Sequence, residues 1–328
     1  MPILFSFLFS CEEIVEFNND STLVSGITIN ALAVGDTIFS ASVSKSYPFY
    51  KMDVMSGDVF WMYEGSQMEQ YDKFFKDSAV IKDAVIQLSV NGTAQYTMNY
   101  DKETLTYKST YIPQAEDKIT MRVESPFLPP AISETEIPEL PKIKVVSWEK
   151  VYSVNNSDIT EDGMYDHLGK DTVARITLRI EDPENERNFY RLKVRGYAMS
   201  SYSDGEVVYM HNDIFNSADV IFKDEQLTKG YRGWPAYFSN VFSDRLFNGA
   251  EYEFIVESRL RKGAKGSNYI VVELQAITRE LYNYLKSVML YRVTPQDAYT
   301  EPIMIYSNIN NGCGILGGVS TDRHVVML

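Results

Sequence analysis

Two residue types that would narrow the chemistry are nearly missing. Cysteine occurs twice in 328 residues, at Cys11 and Cys313, and histidine three times, at His167, His211 and His324. The histidines stand far apart and in no metal-ligand spacing. No G-x-S-x-G, H-E-x-x-H or C-x-x-C occurs either, so the usual signatures of a serine hydrolase, a zinc protease or a dithiol redox centre are lacking. Basic clusters are lacking too. With 31 Lys and Arg against 45 Asp and Glu, the formal net charge is -14 and the isoelectric point is near 4.8. Nucleic-acid binding needs a basic patch to displace counterions, so it is excluded, and attraction to an anionic lipid surface is disfavoured for the same reason. The apolar run from Pro2 to Phe9 falls far short of the roughly 20 residues of a spanning helix. No metal or other cofactor is expected.

What that run does offer is a processing signal. Leu8-Phe9-Ser10-Cys11 ends an apolar stretch in a small residue and a cysteine, and Glu12, Glu13, Glu16 and Asp20 follow. This is the pattern of a bacterial lipoprotein, cleaved before the cysteine and acylated on it. Each buried methylene contributes about 0.8 kcal/mol, so two or more chains hold firmly where one does not. No Lys or Arg precedes the run, where a signal peptide carries positive charge, which predicts a start further upstream. The expected organisation is a signal segment over 1–11 and an acidic tether over 12–21. Acylation of Cys11 would leave Cys313 without a disulfide partner; a lone thiol of that kind is expected to be buried and inert.

The remainder is 45% apolar and 13% aromatic, with 23 Tyr, 17 Phe and 3 Trp. That composition suits sheets, and it also suits surfaces that stack on sugars or peptides. Ile27, Ile29 and Ala31 alternate with polar residues, as do Ile119, Met121 and Val123. Asn91-Gly92 between two such runs predicts a hairpin, because both residues tolerate positive φ. An Ig-like β-sandwich is therefore expected over 22–125, interrupted by an insertion at 50–78. Residues 126–141 hold Pro126, Pro129, Pro130, Pro138 and Pro141, which reads as a stiff linker. A second antiparallel β domain, sandwich-like or barrel-like with one packed helix, is expected over 142–328. Ile176, Leu178 and Ile180, then Tyr190, Leu192 and Val194, alternate on either side of Asp182-Pro183, predicting a hairpin. The helix begins at Thr278, a good N-cap, carries Glu280 in its first turn, and ends before Pro295.

Several stretches invite a chemical reading. Gly312-Cys313-Gly314-Ile315-Leu316-Gly317 has the letters of a dinucleotide fingerprint, yet no βαβ unit surrounds it and only Gly318 to Leu328 follows. The reading preferred is a glycine turn entering a last strand, where missing side chains let another strand or helix approach closely. Asp158-Ile159-Thr160-Glu161-Asp162, with Asp166 and Asp171, is oxygen-rich, but it does not match the EF-hand spacing and reads as a solvated loop. In Gly230-Tyr231-Arg232-Gly233-Trp234-Pro235-Ala236-Tyr237-Phe238, the aromatics Tyr231, Trp234 and Tyr237 have flat faces that either grip a ligand or fold back as a plug over the sheet. Phe60, Trp61 and Tyr63 of the insertion present the same choice. The 45 acids supply many possible carboxylate pairs, and spacing singles out none.

Three segments carry a resemblance. They are Asp182-Pro183 with Asn188-Phe189-Tyr190; Phe242-Ser243-Asp244-Arg245-Leu246-Phe247-Asn248-Gly249 with Tyr252; and Glu301 to Ile309 running into Asn311 to Gly318. With Asp83-Ala84-Val85 and the cysteine at 11, the chain resembles a family of Bacteroidetes outer-membrane lipoproteins catalogued as domain of unknown function 4249. Cys313-Gly314-Ile315-Leu316, where the usual text is closer to Leu-Gly-Ile-Phe, and the 50–78 insertion depart from it. The resemblance implies an Ig-like domain followed by a second β domain, anchored in the outer membrane and accompanying a TonB-dependent transporter; the acids directly after Cys11 resemble a signal for transfer to the cell surface, where exposure is expected. It implies no catalytic residue. The expected role is non-enzymatic: an accessory or ligand-capture protein for a small molecule, glycan or peptide. An adhesive surface protein and a surface glycan or peptide hydrolase are the alternatives.

Overall fold

Alternating apolar residues place most of the strands. The computed structural model describes residues 26–46, 79–153, 171–184, 186–201, 207–212, 214–231, 234–259, 269–294 and 303–328. Cys11, the insertion aromatics Phe60, Trp61 and Tyr63, and the acidic loop from Asp158 to Asp166 lie outside the described residues. The chain is mainly β. In order, its strands are β1 (Ile27–Val34), β2 (Ser40–Lys45), β3 (Val85–Val90), β4 (Ala94–Thr97), β5 (Asn99–Asp101), β6 (Thr106–Lys108), β7 (Lys118–Ser125), β8 (Leu128–Glu136) and β9 (Lys142–Ser153). There follow β10 (Asp171–Glu181), β11 (Phe189–Ser201), β12 (Val207–Asn212), β13 (Phe215–Asn216), β14 (Val241–Ser243), β15 (Glu251–Arg259), β16 (Tyr269–Ile277), the helix α1 (Arg279–Val293) and β17 (Gly312–Met327).

One nine-stranded sheet runs through both halves in the order β12-β11-β16-β17-β1-β2-β6-β5, with β14 beside β11. Two four-stranded sheets, β4-β3-β7-β8 and β13-β15-β10-β9, complete two sandwiches. The first core gathers Ile29, Ile86, Leu88, Met121 and Leu316; the second gathers Ile176, Leu178, Leu192, Phe254, Val272 and Val326. Leu316 and Val326 are an even number of residues apart on β17, so both small sheets pack on one face of the large one. The other face of β17 carries Ile315 and Val319, which pack with Leu281, Met289 and Val293 of α1.

β17 joins the two halves. Its first part pairs in parallel with β1, Ile27 opposite Gly312 through Val34 opposite Val319. Its second part pairs antiparallel with β16, Ile277 opposite Val319 through Tyr269 opposite Met327. The glycines permit this. A Cβ on Gly314, which sits at φ 105°, would come within 2.0 Å of the Ile29 carbonyl oxygen. A Cβ on Gly317 would press on Leu281 of α1, and one on Gly318 would lie 2.9 Å from the Glu136 carbonyl oxygen. The glycine text is thus a strand approached by another strand and by a helix, as expected, and not a phosphate loop.

The segment read as a stiff linker is different. Leu128–Glu136 within it is strand β8, paired with β7, and Ala131 and Ile137 are buried. Pro129 and Pro130 fit because β8 is the edge of its sheet and the register with β7 slips between Val123 and Ser125. Proline is tolerated at edges and bulges, where no ladder hydrogen bond is required of it. Beyond β8 the chain is held along β17: Ser320 Oγ donates to the Pro138 carbonyl at 2.5 Å, and Ile143 N–H donates to Asp322 Oδ2 at 3.0 Å.

The hairpin expected around Asp182-Pro183 is also corrected. β10 belongs to a four-stranded sheet and β11 to the nine-stranded one, so the turn is an arch between layers. Alternation specifies which faces are buried, and Ile176, Leu178, Leu192 and Val194 do share one core, but it does not specify the pairing partner. The outer face of the β9-β10-β15 sheet carries ion pairs: Arg175 with Glu257 and Glu149, Arg179 with Glu253 and Glu251, and Lys144 with Glu181. Exposed pairs of this kind contribute little to stability, roughly 0–1 kcal/mol each.

Two expected local features are present. Asn91 and Gly92 both take positive φ, 52° and 69°, between β3 and β4. Thr278 caps α1, accepting the Leu281 N–H on its hydroxyl at 3.3 Å.

Candidate ligand cleft

The arch at Asp182 and the start of α1 bring separate parts of the chain to one place. Asp182 is buried and accepts the Tyr190 hydroxyl at 2.6 Å and the Gly249 N–H at 2.9 Å. Asp244 is buried next to it; its carboxylate accepts the Asn188 N–H at 2.5 Å, and its own N–H donates to the Asn188 carbonyl at 3.1 Å. Burial pushes the Asp244 carboxyl above its ordinary range, and the negative charge of Asp182 adds to the rise; the Asn188 amide and the Arg187 charge oppose it. Burial and the hydrogen bond to Asp182 push the Tyr190 hydroxyl up likewise. These groups hold the turn from Arg187 to Phe189 in place. The first two resemblance-bearing segments are therefore the two sides of this arch, and the third is the clasp formed by β17.

On the outer side of the arch lies a cleft of about 480 Å³ between the two sandwiches, within the range of small-ligand sites. Its walls come from β7 and β8 of the first sandwich, from the turn at Arg187 to Phe189, and from the end of β16 with the first residues of α1. Ile119, Pro138, Phe189, Ala276 and Ile277 give it an apolar floor. Lys118 and Glu136 form an exposed ion pair at 3.4 Å. Arg187 and Arg279 each hold the guanidinium carbon 5.7 Å from the Phe189 ring centroid. That cation–π contact contributes about 0.5–1 kcal/mol at an exposed site. Phe189 in turn packs against Tyr282 of α1, the rings tilted at 41° with centroids 4.7 Å apart. Among the described residues neither arginine forms an ion pair. Two further polar groups of the lining, Asn188 Nδ2 and Thr135 Oγ1, are buried without a hydrogen-bond partner among the described residues.

The aromatics singled out in the sequence do not line this cleft. Trp234 packs edge-on against Phe215 at 6.5 Å and tilts against Tyr231 and Phe238 at 6.0 and 5.7 Å. It bridges the second core and the core beneath α1, and its Nε1 is buried with no partner among the described residues. The loop is pinned by the Tyr237 N–H to the Leu227 carbonyl at 2.5 Å and by the ion pair of Asp224 with Lys286 of α1. Tyr237 alone of the three is exposed, at 47%, and it sits at φ 63°. Sequence inspection missed Arg187, Arg279, Thr135 and Asn188. They lie on three different elements, β8, the turn before β11 and the start of α1, and only the paired layers bring them together; the one available signal was an arginine directly after the helix cap. Among the described residues no three His, Cys, Asp or Glu are grouped to hold a metal ion, and no helix is long and apolar enough to cross a membrane.

Fold and cleft together define a two-sandwich β protein with a ligand-sized groove at the junction. The family model described as Domain of unknown function (DUF4249) matches residues 13–324, and the chain belongs to that family. No curated protein matches the chain. Among solved structures, the chain is similar at 13% identity and a TM-score of 0.20 to a candidate membrane-anchored protein from Corynebacterium diphtheriae, over 76% of this chain. The match spans about half of that protein, 54%.

Proposed function

We propose that this protein is a non-enzymatic envelope lipoprotein, anchored through Cys11, that captures a small ligand for a TonB-dependent outer-membrane transporter. The observation that supports the reading best is the cleft between the sandwiches, whose wall carries the Arg187 and Arg279 guanidinium groups together with an amide and a hydroxyl that lack hydrogen-bond partners among the described residues. A groove built from a sheet edge, the end of a central strand and a helix start is suited to holding a ligand in one orientation. The lipobox pattern at Leu8 to Cys11 and the acidic tether behind it supply the address.

The test is made in membranes. A C-terminally tagged full-length chain, solubilised in mild detergent, is expected to co-purify a large outer-membrane barrel, and Cys11→Ser is expected to release the protein from the membrane fraction. Recovery without any barrel, or mass spectrometry showing an unmodified Cys11 still joined to the residues before it, would overturn the reading.

A further inference from the structure

We infer that the inter-sandwich cleft binds a small ligand through a single carboxylate, held by Arg187 and Arg279 with the Thr135 hydroxyl and the Asn188 amide behind them. The inference rests on the ligand-capture reading and names the chemistry of what is captured. Its basis is the sign of the unmatched hydrogen-bonding capacity. Two buried groups of the lining lack a hydrogen-bond partner among the described residues, the Asn188 NH₂, which only donates, and the Thr135 hydroxyl, which can donate; the exposed guanidinium forks of Arg187 and Arg279 beside them only donate. Thr135 is 7% exposed, lines the cleft from β8 and leaves its hydroxyl unpaired, an arrangement that costs free energy unless a hydrogen-bonding group arrives, and a carboxylate oxygen is one that the hydroxyl can donate to.

The guanidinium groups add geometry. Both guanidinium carbons lie over the Phe189 ring, which itself packs against Tyr282, so one aromatic ring draws the two charges to the same part of the wall. A planar fork matches a planar carboxylate in a bidentate manner. α1 starts in the same wall, with Thr278, Arg279 and Glu280 all lining the cleft, and its N-terminal dipole favours negative charge there. The wall also holds Glu134 and Glu280, and Glu136 paired to Lys118. In a chain of net charge -14 those acids disfavour a polyanion such as phosphate and leave a monoanion as the fitting charge. The apolar floor formed by Ile119, Pro138 and Ile277 takes the rest of the molecule.

The experiment is calorimetric titration of the full-length protein with N-acetyl-trialanine and with its C-terminal amide, two probes that differ at the carboxylate alone. The acid is expected to bind saturably at one site, at least about tenfold more tightly than the amide. In the double variant Arg187→Gln/Arg279→Gln that preference is expected to disappear. Thr135→Val, nearly isosteric, is expected to weaken the acid several-fold and leave the amide unchanged. Arg122→Gln, on β7 but paired with Glu124 outside the cleft lining, serves as the control and is expected to bind as the unaltered protein does. Equal binding of acid and amide, no saturable binding of the acid, or full retention of the preference in the double variant would each overturn the inference. Co-purification of the barrel does not depend on the arginines, so its retention alongside a failed titration would remove the ligand assignment alone.

Discussion

The two sandwiches share a sheet and differ in how they close it. The second draws its strands, β9 to β17, from one continuous half of the chain, and its described ladders are antiparallel. The first draws nearly everything from residues 27–136, yet the parallel neighbour of β1 arrives from the far end, with Thr28 bonded to Cys313 across 285 positions. One sandwich is thus locally complete and the other is finished by a visitor. A non-local parallel pairing has to overcome loop-closure entropy before its contacts contribute, so β1 is expected to be ordered last and lost first.

That contrast can be broken at the glycines. Gly314→Val puts a branched side chain where a Cβ already lies 2.0 Å from the Ile29 carbonyl oxygen, at a φ that only glycine adopts easily. We expect a loss of more than about 4 kcal/mol from the first sandwich, read as a separate early transition in thermal unfolding. Next in size, Leu316→Ala empties a fully buried site in the first core and should cost about 2–5 kcal/mol, with calorimetry showing the deficit in that early transition.

The arch tests the other side of the comparison. Asp244→Ala strands the Asn188 N–H and should cost about 1–3 kcal/mol in the second sandwich. Asp244→Asn keeps an acceptor and removes a buried charge facing Asp182, so it should cost much less at neutral pH. The sign of its pH dependence follows from the raised carboxyl. A group with a raised folded pKa contributes most below its unfolded value and loses that contribution as pH rises through the folded value. The gap between the unaltered protein and Asp244→Asn should therefore shift in favour of the asparagine as pH rises; denaturant melts across pH check it.

The first sandwich has the opposite titration. Burial raises the Asp117 carboxyl, but the Tyr111 hydroxyl at 2.5 Å, the Asn91 amide at 2.7 Å and the Gln114 N–H at 2.9 Å outweigh it and leave it below its ordinary value. A lowered pKa gives stability above the unfolded value that is lost as pH falls through the folded one. Asp117→Asn should remove that acid sensitivity, at a cost of about 1.5–3 kcal/mol at neutral pH. The smallest effect expected is Thr278→Ala, about 0.5–2 kcal/mol for the lost cap, seen as earlier fraying of α1 by circular dichroism.

Much of this could be read from residues alone, for identifiable reasons. Ile27, Ile29 and Ile176, Leu178, Ile180 alternate because one face of each strand is buried. Asn91-Gly92 marks a turn because both residues accept positive φ. Thr278 and Glu280 mark a helix start. Even the close approach at Gly314 and Gly317 follows from missing side chains. What stayed hidden was partnership. Pro129 and Pro130 suggested a linker because the sequence does not say that their strand lies at an edge. Asp182-Pro183 suggested a hairpin because a connection within a sheet and an arch between sheets have the same alternation. The cleft was hidden for the same reason: Thr135, Arg187 and Arg279 meet only once three elements are assembled, whereas Trp234 drew notice as an aromatic in a loop and is packed between two cores.

Hydrogen exchange on Gly314→Val tests the shared-strand account most directly, with each sandwich serving as reference for the other. The amides of β1 and β2 should lose at least about tenfold of their protection while those of β10 and β15 keep theirs. Undiminished protection across Ile27–Val34, or an equal loss in both sandwiches, would show that β17 does not complete the first sandwich in the way described.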